Sequence, residues 1–123
     1  MSVARVNLQR KSRLFFYYHI LGMKYAQLKK SSISGKKYTL LFFDKDRKKV
    51  KTIHFGQAGA DDYTKTGDKE QRDRYRNRHN NSRENHNVPD TPASASRWIL
   101  WGDSTSVSAN YNSYLKRFGL SKY

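Results

Sequence analysis

The sequence predicts one small α+β domain, a β-hairpin or small antiparallel sheet packed with about three helices and preceded by a basic N-terminal arm. Three observations indicate this fold. The chain has 123 residues, which is enough for one core and too few for two domains. A run rich in aromatic and branched residues turns back on itself between residues 37 and 56. Capping residues then delimit two helices in the C-terminal third, and a sheet packed with helices is an α+β arrangement.

The basic arm is predicted to span residues 1–35, with the domain at residues 36–123. Residues 1–43 contain nine lysines and arginines and no acid, and a run of one charge repels itself unless a partner neutralises it. An apolar patch, Leu14–Leu21, interrupts the arm. Basic residues precede it as in a signal peptide, but no small-residue cleavage site follows. We therefore expect the patch to dock on a neighbour.

Residues 37–56 are predicted to form the hairpin. The four hydrophobic residues at 40–43 alternate between the two faces of the first strand, which indicates a strand covered on both sides. Residues 44–49 are the polar turn. Gly56 ends the second strand and begins a flexible loop, where backbone could approach a partner closely.

A polar helix is predicted from about residue 68 to residue 80. Asp68 suits the N-cap position, and Tyr75 is the one large apolar residue that could anchor the helix. Arginine occupies every second position from 72 to 78, so the helix should be exposed and strongly cationic. Residues 80–90 are predicted to form a loop.

Two capped helices are predicted to complete the domain. Thr91 is the expected N-cap of the first, which Gly102 ends, and Ser104 or Thr105 is the expected N-cap of the second. Gly119, followed by a leucine, predicts a Schellman ending for the second helix.

The composition restricts the classes of function. Lysine and arginine number 25 against 10 aspartates and glutamates, so the formal net charge is +15. The absence of cysteine excludes disulfides, thiolate zinc sites and a catalytic cysteine. No stretch approaches the roughly 20 apolar residues of a membrane span. We expect a non-enzymatic binding or assembly protein with no cofactor, no metal and no small-molecule substrate.

The basic residues are the expected contacts to a polyanion or to an acidic partner, because each phosphate neutralised releases counterions. These contacts are Arg10, Lys11, Arg13, Lys29, Lys30, Lys48, Lys49, Lys51, Arg72, Arg74, Arg76, Arg78 and Arg83. The large rings expected in the core are Phe42, Phe55, Tyr75, Trp98, Trp101 and Phe118. The two tryptophans could instead stack bases, but a capped amphipathic helix favours a core position for them.

His79, Glu84 and His86 superficially resemble a histidine–asparagine–histidine nuclease, in which a general-base histidine lies beside a metal. The supporting hairpin and helix spacing is absent. A polar loop that contains two histidines is therefore the alternative interpretation, and the one we expect.

Several segments are arranged in an order and spacing that resembles a known family. They are Lys37–Thr39, Phe42–Asp44, His54–Gly59, Asp62–Thr64, Arg74–Tyr75, Arg78–His79, Ser96–Asp103 and Lys116–Leu120. Together they are similar to a family of small basic proteins of large double-stranded DNA viruses, especially those of algae and other protists. The resemblance covers about residues 25–120. It implies a viral setting and no catalytic residues, because that family has no assigned function.

The resulting expectation is a non-enzymatic structural protein of a large DNA virus particle, either a minor capsid protein or an internal virion component. Its basic contacts would reach other virion proteins or the genome, in the virion and in the host cytoplasm or nucleus during assembly. The alternative is a sequence-nonspecific nucleic-acid-binding protein, and a third hypothesis is a divalent-metal nuclease. Salt separates the first two, because phosphate binding weakens steeply as salt rises.

Overall fold

The computed structural model describes residues 22–123 and shows a four-stranded mixed sheet with helices, which confirms the α+β class. The strands are β1 (Tyr25–Lys30), β2 (Lys36–Phe43), β3 (Lys49–Gln57) and β4 (Ser121–Lys122). They lie in the order β3-β2-β1-β4, with β1–β2 and β2–β3 antiparallel and β4 parallel to β1. The helices are α1 (Tyr63–Thr66), α2 (Lys69–Arg78), α3 (Pro92–Ala95), which continues as a π-helical turn (Ser96–Leu100), and α4 (Val107–Phe118). No helix in residues 22–123 is long and apolar enough to cross a membrane.

The predicted hairpin is confirmed as β2 and β3, and the polar turn between them is fixed by Asp44. Its Oδ1 accepts hydrogen bonds from the backbone N–H groups of Asp46 and Lys48, both at 2.9 Å. This carboxylate satisfies donors that the strands leave open, and Arg47 adopts a positive φ of 62° in the turn.

The sheet extends beyond the hairpin into the predicted arm. β1 lies inside residues 1–35 and pairs with β2 along its whole length, from Tyr25 opposite Phe43 to Lys30 opposite Tyr38. Residues 25–30 are thus part of the sheet, so residue 35 does not divide an arm from a domain. The rest of the arm's predicted features, Arg10, Lys11, Arg13 and Leu14–Leu21, lie outside the described residues.

The core lies between one face of the sheet and the helices. Leu40, Phe42 and Phe55 on the sheet are fully buried, and they share one cluster with Ile99 and Tyr114 from the helical part. Of the large rings predicted for the core, Phe42, Phe55, Trp101 and Phe118 are buried. Tyr75 and Trp98 are partly buried and pack against the cluster.

The other face of the sheet carries a separate aromatic cluster. Phe43 stacks on Tyr123 with ring centroids 3.7 Å apart. The Arg47 guanidinium lies 4.5 Å from the ring centroid of Tyr25 and 5.3 Å from that of Tyr123. Phe43 is accordingly buried, whereas Leu41 on the same face is only half-buried. The prediction that β2 is covered on both faces therefore holds in full only at the Phe43 end.

The helix caps agree with the sequence at three ends and differ at two. Gly102 was predicted to end the first C-terminal helix, but the π-helical turn ends at Leu100 and its C-cap is Trp101. Asp68 accepts from the Gln71 N–H at 3.1 Å, and Thr91 accepts from the Ser94 N–H at 3.1 Å. Gly119 ends α4 at a φ of 64°. The predicted cap of α4 at Ser104 or Thr105 is wrong, because Ser106 is the residue whose hydroxyl accepts the Ala109 N–H.

Candidate nucleic-acid interface

The alternating arginines of α2 lie on two sides of the helix. Arg72 and Arg76 are one helical turn apart and face the domain, whereas Arg74 and Arg78 are exposed. The Arg72 guanidinium lies 4.6 Å from the ring centroid of Tyr63. Arg72 therefore packs α2 against the domain, and only the outward pair points to solvent.

Arg76 ties α2 to the segment that follows the π-helical turn. It donates to the Trp101 carbonyl and to Asp103 Oδ1, each at 2.9 Å. The hydrogen bond from Arg76 holds the pKa of Asp103 below its ordinary value. Arg72 and Arg76 were predicted to contact a polyanion, but the structure shows both in intramolecular contacts. The reason is that Arg72 reaches the face of the Tyr63 ring, and Arg76 reaches hydrogen-bond acceptors on the domain.

Tyr75 is the aromatic anchor of α2, as the sequence predicted. Its ring stacks on Trp101 with centroids 4.2 Å apart and an interplanar angle of 6°, and on His79 at 4.1 Å. Burial raises the pKa of Tyr75 to about 12. α2 has no fully buried residue, so these stacks and the two inward arginines hold it in place.

The acidic groups are largely engaged with neighbouring bases. Within residues 22–123, five lysine or arginine side chains form ion pairs with carboxylates: Lys37–Asp62, Lys51–Asp90, Lys65–Asp61, Arg72–Asp73 and Arg76–Asp103. Lys51, a predicted contact, is thus committed to the buried Asp90 at 2.7 Å. The predicted contacts that are exposed and without a carboxylate partner in this part of the chain are Lys29, Lys30, Lys48, Lys49, Arg74, Arg78 and Arg83.

A second group of cations, which the sequence analysis missed, lines a pocket of about 450 Å³ between the π-helical turn and α4. The guanidinium of Arg97 lies 4.2 Å, and that of Arg117 3.6 Å, from the ring centroid of Trp98. Lys116 lines the same pocket. In the sequence these residues form two short pairs, Arg97-Trp98 and Lys116-Arg117. The pairs are far apart in the chain, so no local pattern indicates that they share a site.

Arg97 lacks a carboxylate partner within ion-pair distance among the described residues, although it is only half exposed. Its one hydrogen bond to protein in this region is a long one, 3.4 Å, to the Trp101 carbonyl that Arg76 also uses. Burial and the charges of Arg76 and Arg117 together lower the pKa of Arg97 to about 10, although the charge of Asp103 opposes this shift. The pocket therefore concentrates positive charge.

The structure brings together the three residues of the nuclease hypothesis. His79 Nδ1 donates to Glu84 at 2.8 Å, and His86 Nε2 lies 3.7 Å from the other Glu84 oxygen. Asn81 also donates to Glu84, at 3.0 Å. No group of three His, Asp or Glu side chains within residues 22–123 is arranged to hold a metal ion. The contacts close the loop after α2, and the nuclease hypothesis stays a prediction.

Replacement of Glu84 by glutamine should cost stability at neutral pH and not at acid pH. Burial opposes ionisation of Glu84, but the hydrogen bonds from His79 and Asn81 outweigh it and lower its pKa. A lowered pKa in the folded state adds stability above the ordinary carboxyl range, and this is lost as pH falls through the folded value. We expect a loss of about 0.5 kcal/mol at pH 7 and none at pH 3.

Urea unfolding at the two pH values measures this difference. Asp46→Asn is the control, because Asp46 is exposed in the β2–β3 turn and has no ion pair in the described region. Equal stability of Glu84→Gln and Asp46→Asn at pH 7 would contradict the proposed loop closure by Glu84.

Comparison with known protein families gives a match over part of the chain. Residues 26–79 match a family of unknown function, DUF5754. The matched segment covers β1 to β3, α1 and α2 and ends before the pocket. No curated protein and no solved structure matches the chain significantly.

Proposed function

We propose that the protein is a non-enzymatic, sequence-nonspecific nucleic-acid-binding protein that contacts the phosphate backbone. The observation that carries this proposal is the outward face of α2. Arg74 and Arg78 project from a helix whose other two arginines are used internally, and neither has a carboxylate partner among the described residues. Such cations release counterions from a polyanion without reading sequence.

The charge distribution supports nucleic acid over an acidic protein as the partner. The exposed bases continue past α2 to Arg83 and occur again on β1 and at the β2–β3 turn, so the positive charge is spread over several elements. Most carboxylates that could oppose it are paired or cap helices. A chain of regularly spaced phosphates suits such a distribution, because each one can be met by a separate base. The role inside a virus particle remains a proposal that rests on the resemblance alone.

The test is binding of a generic DNA duplex between 50 and 200 mM salt, with the double variant Arg74→Gln/Arg78→Gln. Each lost phosphate contact lowers the salt slope of the logarithm of the affinity by about 0.9. We expect the double variant to reduce the slope by about 1.8 and the affinity at 100 mM salt by about tenfold.

Lys24→Gln/Lys122→Gln is the matched control, because it removes the same charge from two exposed residues at the β1–β4 side of the sheet. It should change the slope much less. An equal effect of the two pairs would show that α2 is not the interface. Absence of duplex binding at 50 mM salt would overturn the proposed function and favour an acidic protein surface.

A further inference from the structure

We propose that the pocket between the π-helical turn and α4 is a binding site for a phosphate group. Arg97 and Arg117 border it together with Lys116, and the hydroxyl-bearing Ser113 also lines it. Asp103 is the one acid in the lining, and its carboxylate already accepts a hydrogen bond from Arg76. The site goes beyond the proposed function, since it would take a phosphate compound whether or not a polymer is attached.

The two guanidinium groups are held in place before any ligand arrives. Both lie over the Trp98 ring, and the indole N–H of Trp98 donates to the His86 carbonyl at 2.8 Å. Stacking on an aromatic ring leaves the N–H edge of a guanidinium free to donate. That planar edge matches two oxygens of a phosphate, and little conformational freedom is left to lose on binding.

The pocket has more positive than negative charge, because Asp103 is the one acid in its lining beside Arg97, Lys116 and Arg117. Arg97 is half-buried and has no carboxylate within ion-pair distance in residues 22–123, and removing a charge from water costs free energy unless the charge is paired. Arg76 and Arg117 add further positive charge nearby, so an anion would relieve repulsion as well as form hydrogen bonds. Phosphate has oxygens enough for hydrogen bonds from both guanidinium groups, and arginine binds phosphate oxygens in pairs.

The backbone that presents Arg97 and Trp98 is unusual. Ser96–Leu100 is a π-helical turn, closed by a hydrogen bond of 3.0 Å from the Trp101 N–H to the Ser96 carbonyl. Turns of this kind are rare and occur frequently at functional sites. A regular α-helical turn would place these two side chains in a different direction.

The pocket is larger than one phosphate. Its volume of about 450 Å³ falls in the range of small-molecule sites, so a mononucleotide or a nucleic-acid end would fit as well. The two sources share the phosphate group and differ in the attached chain. Three probes separate them: inorganic phosphate, adenosine monophosphate, and a short single strand with or without a 5′-phosphate.

The experiment is thermal unfolding and probe titration of the full chain at constant ionic strength. We expect inorganic phosphate at 10 mM to raise Tm, because a ligand of the folded state stabilises it. Arg117→Gln and Lys116→Gln change exposed residues, so they should fold normally and weaken phosphate binding at least fivefold each. Lys24→Gln removes the same charge from an exposed residue beside β1, outside both proposed sites, and should leave phosphate binding unchanged.

The outcomes distinguish this site from the duplex interface. Equal weakening by Arg117→Gln and Lys24→Gln, or an equal Tm rise with chloride, would overturn the phosphate site. Loss of phosphate binding in Arg117→Gln with duplex binding intact would support it. A preference for the 5′-phosphorylated strand would identify a nucleic-acid end, and equal binding of the mononucleotide would identify a free nucleotide.

Discussion

Replacement of Asn110 by alanine should lower the free energy of unfolding by about 3 kcal/mol. The Asn110 side chain is only 3% exposed. Its Nδ2 donates to the carbonyls of Ile99 at 2.8 Å and Ser104 at 2.7 Å, and its Oδ1 accepts from the Ser104 N–H at 3.0 Å. Alanine would leave three backbone groups without this partner, and each buried unsatisfied group costs about 1–3 kcal/mol.

The effect should be large because Asn110 joins three parts of the chain. It extends from α4 to the end of the π-helical turn and to the loop that leads back into α4. That loop contains too few hydrophobic residues to hold its own conformation. The Asn110 amide therefore makes the hydrogen bonds that backbone groups make to a neighbouring strand or helical turn elsewhere.

The free energy of unfolding of Asn110→Ala is measured by chemical denaturation, with two further variants as controls. Asn112→Ala changes the same residue type on the exposed side of α4 and should cost less than about 0.5 kcal/mol. Asn110→Asp keeps the shape, but its carboxylate would face the two carbonyls without donating to them, so it should cost at least as much as alanine. An Asn110→Ala variant as stable as Asn112→Ala would show that the loop is held by other contacts.

The parts of the fold that could be predicted carry local signals. The hairpin has a polar turn fixed by Asp44, and the C-terminal helices have Thr91 and Gly119 as caps. The parts that were missed depend on pairing with another strand and have no clear local signal of their own. β1 is short and ends in two lysines, so its strand character comes from pairing with β2, and β4 exists only because it pairs with β1.

The same division applies to the candidate site. The arginine repeat predicted a cationic helix, but the sequence could not tell which arginines face inward. That depends on Tyr63 under Arg72 and on the Trp101 carbonyl beside Arg76. The pocket was missed for a related reason. Arg97 and Arg117 are distant in sequence, and only the π-helical turn and α4 bring them to one tryptophan.

The close backbone approach predicted at Gly56 occurs, but it is made to the protein's own core and not to a partner. Gly56 was predicted to end the hairpin where backbone could approach a partner. In the structure it lies within β3 and approaches the protein's own core. A Cβ at this position would be 2.8 Å from Leu100 Cδ1 and 3.1 Å from Lys37 Cβ. Leu100 is only 2% exposed, so its end has no open space into which it could turn.

Gly56→Ala should therefore cost about 3 kcal/mol of unfolding free energy, and Gly59→Ala only about 1 kcal/mol. Both glycines have left-handed backbone, with φ of 78° and 83°, so an alanine pays the same conformational penalty at each. The Gly59 position has nothing within 4 Å of the added Cβ. The difference between the two variants is thus the cost of overpacking against Leu100 and Lys37. Urea unfolding measures the loss of stability in both variants. Equal losses would mean that Leu100 and Lys37 move away from the added Cβ at no cost in unfolding free energy.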